Sequence, residues 1–208
     1  MTTTAKIAVS RSPDSYKKNP ARQVGAFAVE FALLAVFFLT LLFTIIEVAR
    51  ALYVWNTLQE VTRRAARSAS VTDFSDASAM DMVRQNAIFR SSAGDLILSP
   101  PISDEHIRID YVALESESNS NLKQVDIPSG ALAACPARNF HTCTAKSGAA
   151  NCIRLVRVRI CQPGGAQCTP VPYQTMLPLV NLQLNFPTSE TIVRAESLGY
   201  VPGMAMCD

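Results

Sequence analysis

The most apolar stretch of the chain lies near its N-terminus. Residues 26–46 form a run of 21 residues in which Glu30 is the only charged one. A helix needs about 20 predominantly apolar residues to cross a bilayer. The run therefore predicts a transmembrane helix and argues against a purely cytosolic globular protein.

The helical pattern continues past this run, because residues 26–71 contain neither glycine nor proline. Beyond residue 46, apolar side chains recur every three or four positions, as they do on one face of a helix. This stripe consists of Leu52, Trp55, Leu58, Val61, Ala65 and Ala69. We expect one helix of about 45 residues, roughly 68 Å long, in which residues 47–71 form an amphipathic stalk.

The charged residues of the stalk are expected to face away from any core. Glu47 and Arg50 lie three positions apart, which predicts an exposed ion pair worth only ~0.2–0.5 kcal/mol, with a specific docking role as the alternative. Arg63, Arg64 and Arg67 predict a face turned toward solvent or lipid headgroups, with a partner site as the alternative.

Residues 72–208 predict a domain of helix followed by strands. Ser75 and the acidic residues after it favour a second helix over residues 75–92, and Gly94 is expected to stop it. Its apolar stripe consists of Met80, Val83, Ala87 and Ile88. Residues 115–151 are poor in large apolar side chains and predict a long loop that disulfides hold in place.

Four later segments read as strands, and the first two show alternation of apolar and polar residues. A slip of this alternation near Val156 suggests a bulge. The segments are residues 106–114, 153–160, 176–186 and 191–198, the last two meeting at Pro187. Helices followed by strands indicate an α+β fold, with the helices on one face of a small antiparallel sheet.

Charge is concentrated in the first 25 residues, which carry five basic side chains and one acidic side chain, a net +4, whereas the whole chain has a net charge of +2. Positive flanks stay cytoplasmic, so the N-terminus should lie inside and residues from about 50 onward outside. No basic patch with interleaved aromatic residues occurs later in the chain, and no nucleic-acid partner is expected.

All six cysteines follow the apolar run, and an even number on one side of a membrane predicts disulfides in an oxidising compartment. They are Cys135, Cys143, Cys152, Cys161, Cys168 and Cys207. At least two bonds are expected within residues 135–168. Cys161–Cys168 is the best single pair because a Pro-Gly-Gly turn lies between these residues; the remaining pairings, including that of Cys207, stay open. Zinc is the alternative, on Cys135, His141, Cys143 and Cys152, but this spacing lacks a CxxC pair.

The sequence offers few candidate catalytic residues. His106 and His141 are the only histidines, and neither belongs to a Ser/His/Asp or Cys/His pattern. No glycine-rich phosphate loop is present. We therefore predict no enzyme, no cofactor and no metal site.

The junction between the leader and the apolar run carries the most specific signal. A carboxylate such as Glu30 is costly in a membrane segment, although it costs less close to the headgroups. Cleavage after Gly25 would give Ala26 a free α-ammonium four positions before Glu30. Residues at i and i+4 share a helix face, so Glu30 would neutralise that ammonium or one on a neighbouring subunit.

Gly25, four residues and then Glu30, placed after a basic leader and at the head of an apolar helix, resemble the class III signal of type IV pilins. Within that group the chain resembles the TadE-like pseudopilins of the tight-adherence (Flp) system. The stretches that carry the resemblance, which covers residues 22–71, are 25–32, 46–50 and 63–70. Phe31 departs from the Glu-Tyr pair of the major Flp pilins.

The resemblance implies a pilin-like architecture and a minor pseudopilin, of the TadE or the related TadF type, that helps to initiate or prime a pilus. It implies cleavage by a prepilin peptidase between Gly25 and Ala26, and a role in assembly for Glu30 and Phe31. Further implied partners are other pseudopilins, the major pilin, the inner-membrane assembly platform and the lipid bilayer.

The resulting division of the chain has four parts: a cytoplasmic leader peptide over residues 1–25, a transmembrane helix over 26–46, a helical stalk over 47–71 and a periplasmic domain over 72–208. The protein would be a single-pass inner-membrane protein. The alternative is a periplasmic binding domain on an uncleaved signal anchor with no role in pili. A disulfide-linked periplasmic enzyme is a third possibility.

Overall fold

The computed structural model describes residues 21–116, 122–176, 185–186 and 188–207, and the side chains from Gly25 onward. The chain divides into two compact units, Met1–Ile45 and Ile46–Asp208. The described part of the first unit consists of helix alone. The second unit holds the remaining elements and the core.

The first helix, α1, spans Ala21–Val71 and is 51 residues long. The absence of glycine and proline after Gly25 allows the backbone hydrogen bonds to continue through this length. The prediction of one long helix is confirmed. Its start differs from the prediction, because the helix begins at Ala21, before the Gly25–Ala26 junction.

The second helix, α2, spans Ala77–Ala87, so the prediction of residues 75–92 was too long at both ends. Asp76 is the N-cap in place of Ser75, and its carboxylate accepts hydrogen bonds from the backbone N–H groups of Ser78 and Ala79. The helix ends before Gly94 because Phe89 adopts a positive φ of 62°. All four residues of the predicted stripe, from Met80 to Ile88, are buried.

The stretch predicted as a loop, residues 115–151, contains a strand and a helix. Strand β2 spans Leu122–Asp126 and helix α3 spans Pro136–Ala145. Helix α3 buries Pro136, Ala137 and Asn139, which are small or polar residues that a search for large apolar side chains passes over. Buried Asn139 is satisfied, since its Oδ1 accepts a hydrogen bond from the backbone N–H of Ile153 at 3.0 Å.

The sheet has four antiparallel strands in the order β2-β1-β3-β4. The other strands are β1, Ile107–Ser116, β3, Leu155–Ile160, and β4, Glu190–Arg194. Pairing of β1 with β3 runs without interruption from Ile107–Ile160 to Val112–Leu155, so the bulge predicted near Val156 is absent. The apparent slip arises because buried Ile153 precedes the strand.

Parts of the last predicted strands lie outside the described residues, namely 177–184 and Pro187. Of the first, only an isolated bridge between Asn185 and Pro172 is described. The second corresponds to β4, which ends at Arg194 rather than at residue 198.

The core of the second unit joins α1, α2 and one face of the sheet in a single hydrophobic cluster. From α1 it takes Val54, Leu58, Val61, Ala65 and Ala69, and from β3 it takes Val156, Val158 and Ile160. The predicted stripe is therefore correct from Leu58 onward. It is wrong at Leu52 and Trp55, which are 56% and 47% exposed. An α+β fold with a small antiparallel sheet and disulfides is confirmed.

The C-terminal segment closes against the end of α1. The backbone N–H groups of Glu196 and Leu198 both donate to the carbonyl of Ser70. Gly199 follows with φ +84°, and a Cβ there would lie 2.6 Å from the Cα of Asp73. The turn therefore requires glycine both for its backbone conformation and for this close approach.

Candidate assembly and membrane-anchoring site

In the first unit, α1 exposes large apolar side chains around its circumference. Their exposed fractions lie between 46% and 72% for Phe27, Phe31, Leu33, Leu34, Phe37, Phe38 and Leu39. A helix that is apolar all round is typical of a membrane span. In the described part of the chain this is one helix long and apolar enough to cross a membrane, which suggests membrane anchoring.

The polar side chains within the apolar run are hydrogen-bonded inside the helix. The hydroxyl of Thr40 donates to the carbonyl of Phe37 at 2.8 Å, and that of Thr44 donates to the carbonyl of Thr40 at 2.7 Å. Because a bilayer offers no water to such groups, internal pairing lowers the cost of placing them there.

The predicted cleavage and assembly residues lie on the first turns of α1. Gly25, Ala26, Glu30 and Phe31 are all exposed. A Cβ built on Gly25 would meet nothing within 4 Å, so neither a close contact nor a positive φ requires glycine at this position. Ala26 and Glu30 are four positions apart in one helix and therefore share a face.

The Glu47–Arg50 pair is buried, which corrects the prediction of an exposed pair. Both residues are only 7% exposed. Nη1 of Arg50 lies 2.9 Å from Oε1 of Glu47. A buried carboxylate and guanidinium need further hydrogen bonds to offset the loss of water, and other segments of the second unit supply them.

These partners come from two loops distant in sequence. Nε of Arg50 donates to the carbonyl of Leu98 at 3.0 Å, and its Nη1 donates to the carbonyl of Gln174 at 2.8 Å. The Tyr173 hydroxyl lies 3.0 Å from Nη1 of Arg50 and 2.5 Å from Oε1 of Glu47. We call Glu47, Arg50 and Tyr173 the polar cluster.

Tyr173 stays a neutral hydrogen-bond donor in this cluster. Burial raises the pKa of Tyr173 to about 12, and its hydrogen bond with Glu47 acts in the same direction. Sequence reasoning missed the cluster because its third member lies more than 120 positions away. The signal that pointed to it was an acid and a base three positions apart, in phase with buried Val54 and Leu58 on α1.

The three stalk arginines are exposed, as predicted. The guanidinium carbon of Arg64 lies 4.5 Å from the ring centroid of Phe89, a cation–π arrangement. On the face of the sheet opposite the core, ion pairs link side chains within and between strands. Arg108–Asp110 lies within β1, Arg159–Asp110 joins β3 to β1, Arg157–Glu190 joins β3 to β4, and Arg157–Asp126 reaches from β3 across β1 to β2.

All six cysteines form disulfides, so none is available as a thiolate for the alternative zinc site. The bonds are Cys135–Cys207, Cys143–Cys152 and Cys161–Cys168. Two of them lie within residues 135–168, and the bond across the Pro-Gly-Gly turn is present. Cys207 pairs back to the N-cap residue of α3 and so attaches the C-terminal segment to the domain.

His106 has a local structural role. Its Nδ1 accepts a hydrogen bond from the backbone N–H of Ser103 at 3.1 Å and lies 3.0 Å from the hydroxyl of Ser103. Because the backbone N–H occupies the acceptor nitrogen, this Ser–His pair is a turn cap rather than a nucleophile with its base. Burial lowers the pKa of His106, against the opposing effect of three nearby carboxylates. His141 is exposed on α3.

Comparison with known proteins identifies the N-terminal part of the chain. Residues 25–67 match the family described as TadE-like protein, which confirms the resemblance seen in the sequence. No curated protein and no solved structure matches the chain. The TadE-like family is structural rather than typically enzymatic and suggests involvement in the tight-adherence (Flp) pilus system. The Gly25–Ala26 junction, Glu30 and the buried Glu47–Arg50 pair all lie within the matched segment, and this chain is therefore TadE-like over residues 25–67.

Proposed function

We propose that this chain is a minor pseudopilin that helps to initiate or prime a tight-adherence (Flp) pilus after a prepilin peptidase removes residues 1–25. The observation that carries the proposal is where the family match begins. It starts at Gly25, the residue at which the basic leader meets the apolar run, with Glu30 five positions later.

The proposal divides the chain by function. Residues 26–46 span the inner membrane, residues 47–71 form the stalk, and residues 72–208 form a periplasmic domain. The basic residues before the run support a cytoplasmic N-terminus. Three disulfides in the second unit support an oxidising compartment for the C-terminal part.

Assembly follows from the exposed apolar surface of α1 and from Glu30. In the membrane the apolar side chains contact lipid or the helices of other pilins. Glu30 pairs with the new α-ammonium of Ala26 or with that of a neighbouring subunit. The partners are the prepilin peptidase, other pseudopilins, the major pilin and the inner-membrane assembly platform. The protein acts as a structural component and not as an enzyme.

The experiment is N-terminal analysis of the protein isolated from membranes. Ala26 should be the first residue, with a mass loss of about 2.7 kDa, the average share of 25 residues in a chain of 208 residues and 22.6 kDa. Gly25→Val should block processing without disturbing the fold, because the space around Gly25 is open. Ala28→Val adds bulk to the same exposed part of α1 and should be processed normally.

Two results would contradict the proposal. One is a membrane-resident protein that retains residues 1–23 in bulk, which favours an uncleaved signal anchor. The other is equal processing of Gly25→Val and the parent chain, which would show that the small residue at the junction is not recognised.

A further inference from the structure

We propose that two loops of the second unit, residues 96–100 and 173–176, insert apolar side chains into the outer interface of the bilayer, beside the point where α1 leaves it. We call Ile97, Leu98 and Met176 the loop tips. This inference rests on residues 26–46 spanning the membrane, which is part of the proposed function.

The loop tips expose large apolar side chains. Ile97 is 59% exposed, Leu98 57% and Met176 63%. Buried Leu96 anchors the first loop, and backbone hydrogen bonds from Ser99 to Leu96 and from Leu96 to Ile102 tighten it. Leu98 is held at a positive φ of 59°, a conformation costing ~1 kcal/mol or more for a residue with a side chain. Glycine or asparagine adopts this conformation at a lower cost.

The polar cluster connects both loops to one turn of α1. Arg50 donates to the carbonyl of Leu98, and the backbone N–H of Met176 donates to Oε2 of Glu47 at 3.4 Å. Glu47 is the first residue after the apolar run. The loop tips are therefore bonded to the turn of α1 that directly follows residues 26–46. If those residues span the membrane, this turn lies at the headgroups.

The charge pattern of α1 supports lipid as the material that the loop tips contact. Between residues 31 and 59, the only charged residues are Glu47 and Arg50, and both are buried within the second unit. The exposed surface of this stretch is thus free of charge over 29 residues, or about 43 Å of helix. Residues 47–59 of this stretch follow the segment that fills the ~30 Å hydrocarbon core, so the uncharged surface of α1 continues from the core into the outer headgroup region and beyond it.

Aromatic residues of the same helix agree with this placement. Tyr53 and Trp55 are 45% and 47% exposed although they lie beyond the apolar run. Tyrosine and tryptophan are enriched at membrane interfaces, where a ring with one polar group suits the headgroup level. The first exposed charged residue of α1 after this stretch is Glu60.

The experiment uses tryptophan fluorescence of the full chain in phosphatidylcholine vesicles, with and without bromine on the acyl chains as the quencher. Trp55 is the only tryptophan, so Trp55→Phe supplies a silent background. Ile97→Trp and Met176→Trp report on the two loops. Phe38→Trp reports on the spanning segment, and Leu122→Trp, at a 67% exposed position of β2, is the matched surface control. Circular dichroism and the absence of free thiols check that each variant is folded.

We expect brominated lipid to quench the fluorescence of Phe38→Trp, Ile97→Trp and Met176→Trp and to leave that of Leu122→Trp unchanged. The two loop variants should also emit at shorter wavelengths than Leu122→Trp. Quenching of Phe38→Trp alone would overturn this inference and leave the membrane span intact. Blue-shifted but unquenched loop emission would also overturn it, in favour of a protein neighbour such as a second copy. An unquenched Phe38→Trp would refute the span itself.

Discussion

The phenolic hydroxyl of Tyr173 donates a hydrogen bond to Oε1 of Glu47 at 2.5 Å, joining residues 126 positions apart. The same carboxylate oxygen pairs with Arg50, and all three side chains are buried. Through this contact, the turn of α1 that contains Glu47 and Arg50 packs against the rest of the second unit. It also explains how an acid and a base directly after an apolar run are kept from exposing their charge.

The free energy of unfolding should depend strongly on whether the charges of the polar cluster balance. Arg50→Met removes the cation and leaves Glu47 buried without it, so the free energy of unfolding should fall by ~3–5 kcal/mol. Adding Glu47→Leu removes the unpaired charge and should recover part of this loss. Arg67→Met, at an exposed position of the same helix, should change stability by no more than ~0.5 kcal/mol.

Urea unfolding of the full chain in detergent micelles, followed by near-ultraviolet circular dichroism, measures these differences. Equal effects of Arg50→Met and Arg67→Met would argue against the cluster. A double variant less stable than Arg50→Met would show that the lost hydrogen bonds, and not the uncompensated charge, dominate the cost.

Glu30 predicts an effect on assembly that is separate from processing. Glu30→Gln keeps the size of the side chain and removes the charge that would pair with an α-ammonium. We expect normal cleavage, normal membrane insertion and loss of pili, measured in a strain whose pili depend on this protein. Glu60→Gln, the same change at an exposed position of the stalk, should leave piliation intact. Normal piliation with Glu30→Gln would reduce Glu30 to a tolerated residue near the interface.

The free energy of unfolding of the second unit should fall as the pH becomes mildly acidic, because of His106. Burial lowers its pKa below the ordinary 6.5, so the unfolded chain takes up a proton more readily than the folded protein. The contribution of this group is fully present above pH 6.5 and is lost as the pH falls from there through the folded-state pKa.

His106→Asn retains an acceptor for the N–H of Ser103 and removes the titrating group. Urea midpoints measured at a series of pH values should therefore show a flatter profile below pH 6.5 in this variant. The control is His141→Asn, on the exposed side of α3, which should keep the parental slope. A parental slope in His106→Asn would assign the dependence to other groups.

The disulfides are expected to differ in their effects on stability. Cys135–Cys207 closes a separation of 72 residues and Cys161–Cys168 one of 7. In the chain-entropy description these bonds contribute ~4 and ~2.5 kcal/mol. Replacing both cysteines of each pair by serine avoids a free thiol, and urea unfolding of the two double variants should place the Cys135–Cys207 variant lower. The reverse order would show that local packing, rather than loop closure, determines their contribution.

Features that depend on neighbouring residues could be predicted from the sequence. The unbroken helix to Val71, the membrane-length apolar run and the Gly25–Glu30 junction are set by composition and spacing within a few turns. The buried faces of α2 and β3 also follow from local periodicity, because side chains three or four positions apart on a helix, or two apart on a strand, share a side.

The secondary structure and the disulfide pairing of residues 115–151 depend on tertiary contacts. Helix α3 buries alanine, proline and asparagine, and its N-cap residue is bonded to Cys207 at the far end of the chain. Small residues carry little periodic signal, and six cysteines allow 15 complete pairings. Only the folded chain selects among them, by bringing particular sulfur atoms together.

By itself, then, the sequence determined that the chain carries one long helix with an apolar first part, a junction before it that resembles the type IV pilin signal, and six cysteines that all follow the apolar run. Whether Glu47 and Arg50 face water or protein was decided only by the tertiary structure. Helix spacing puts them in phase with buried Val54 and Leu58, but a charged pair at such positions is buried only where other segments supply its hydrogen bonds. The answer depends on Leu98, Tyr173 and Gln174, which lie 48 to 126 positions away and supply the hydrogen bonds without which burying a charge is too costly.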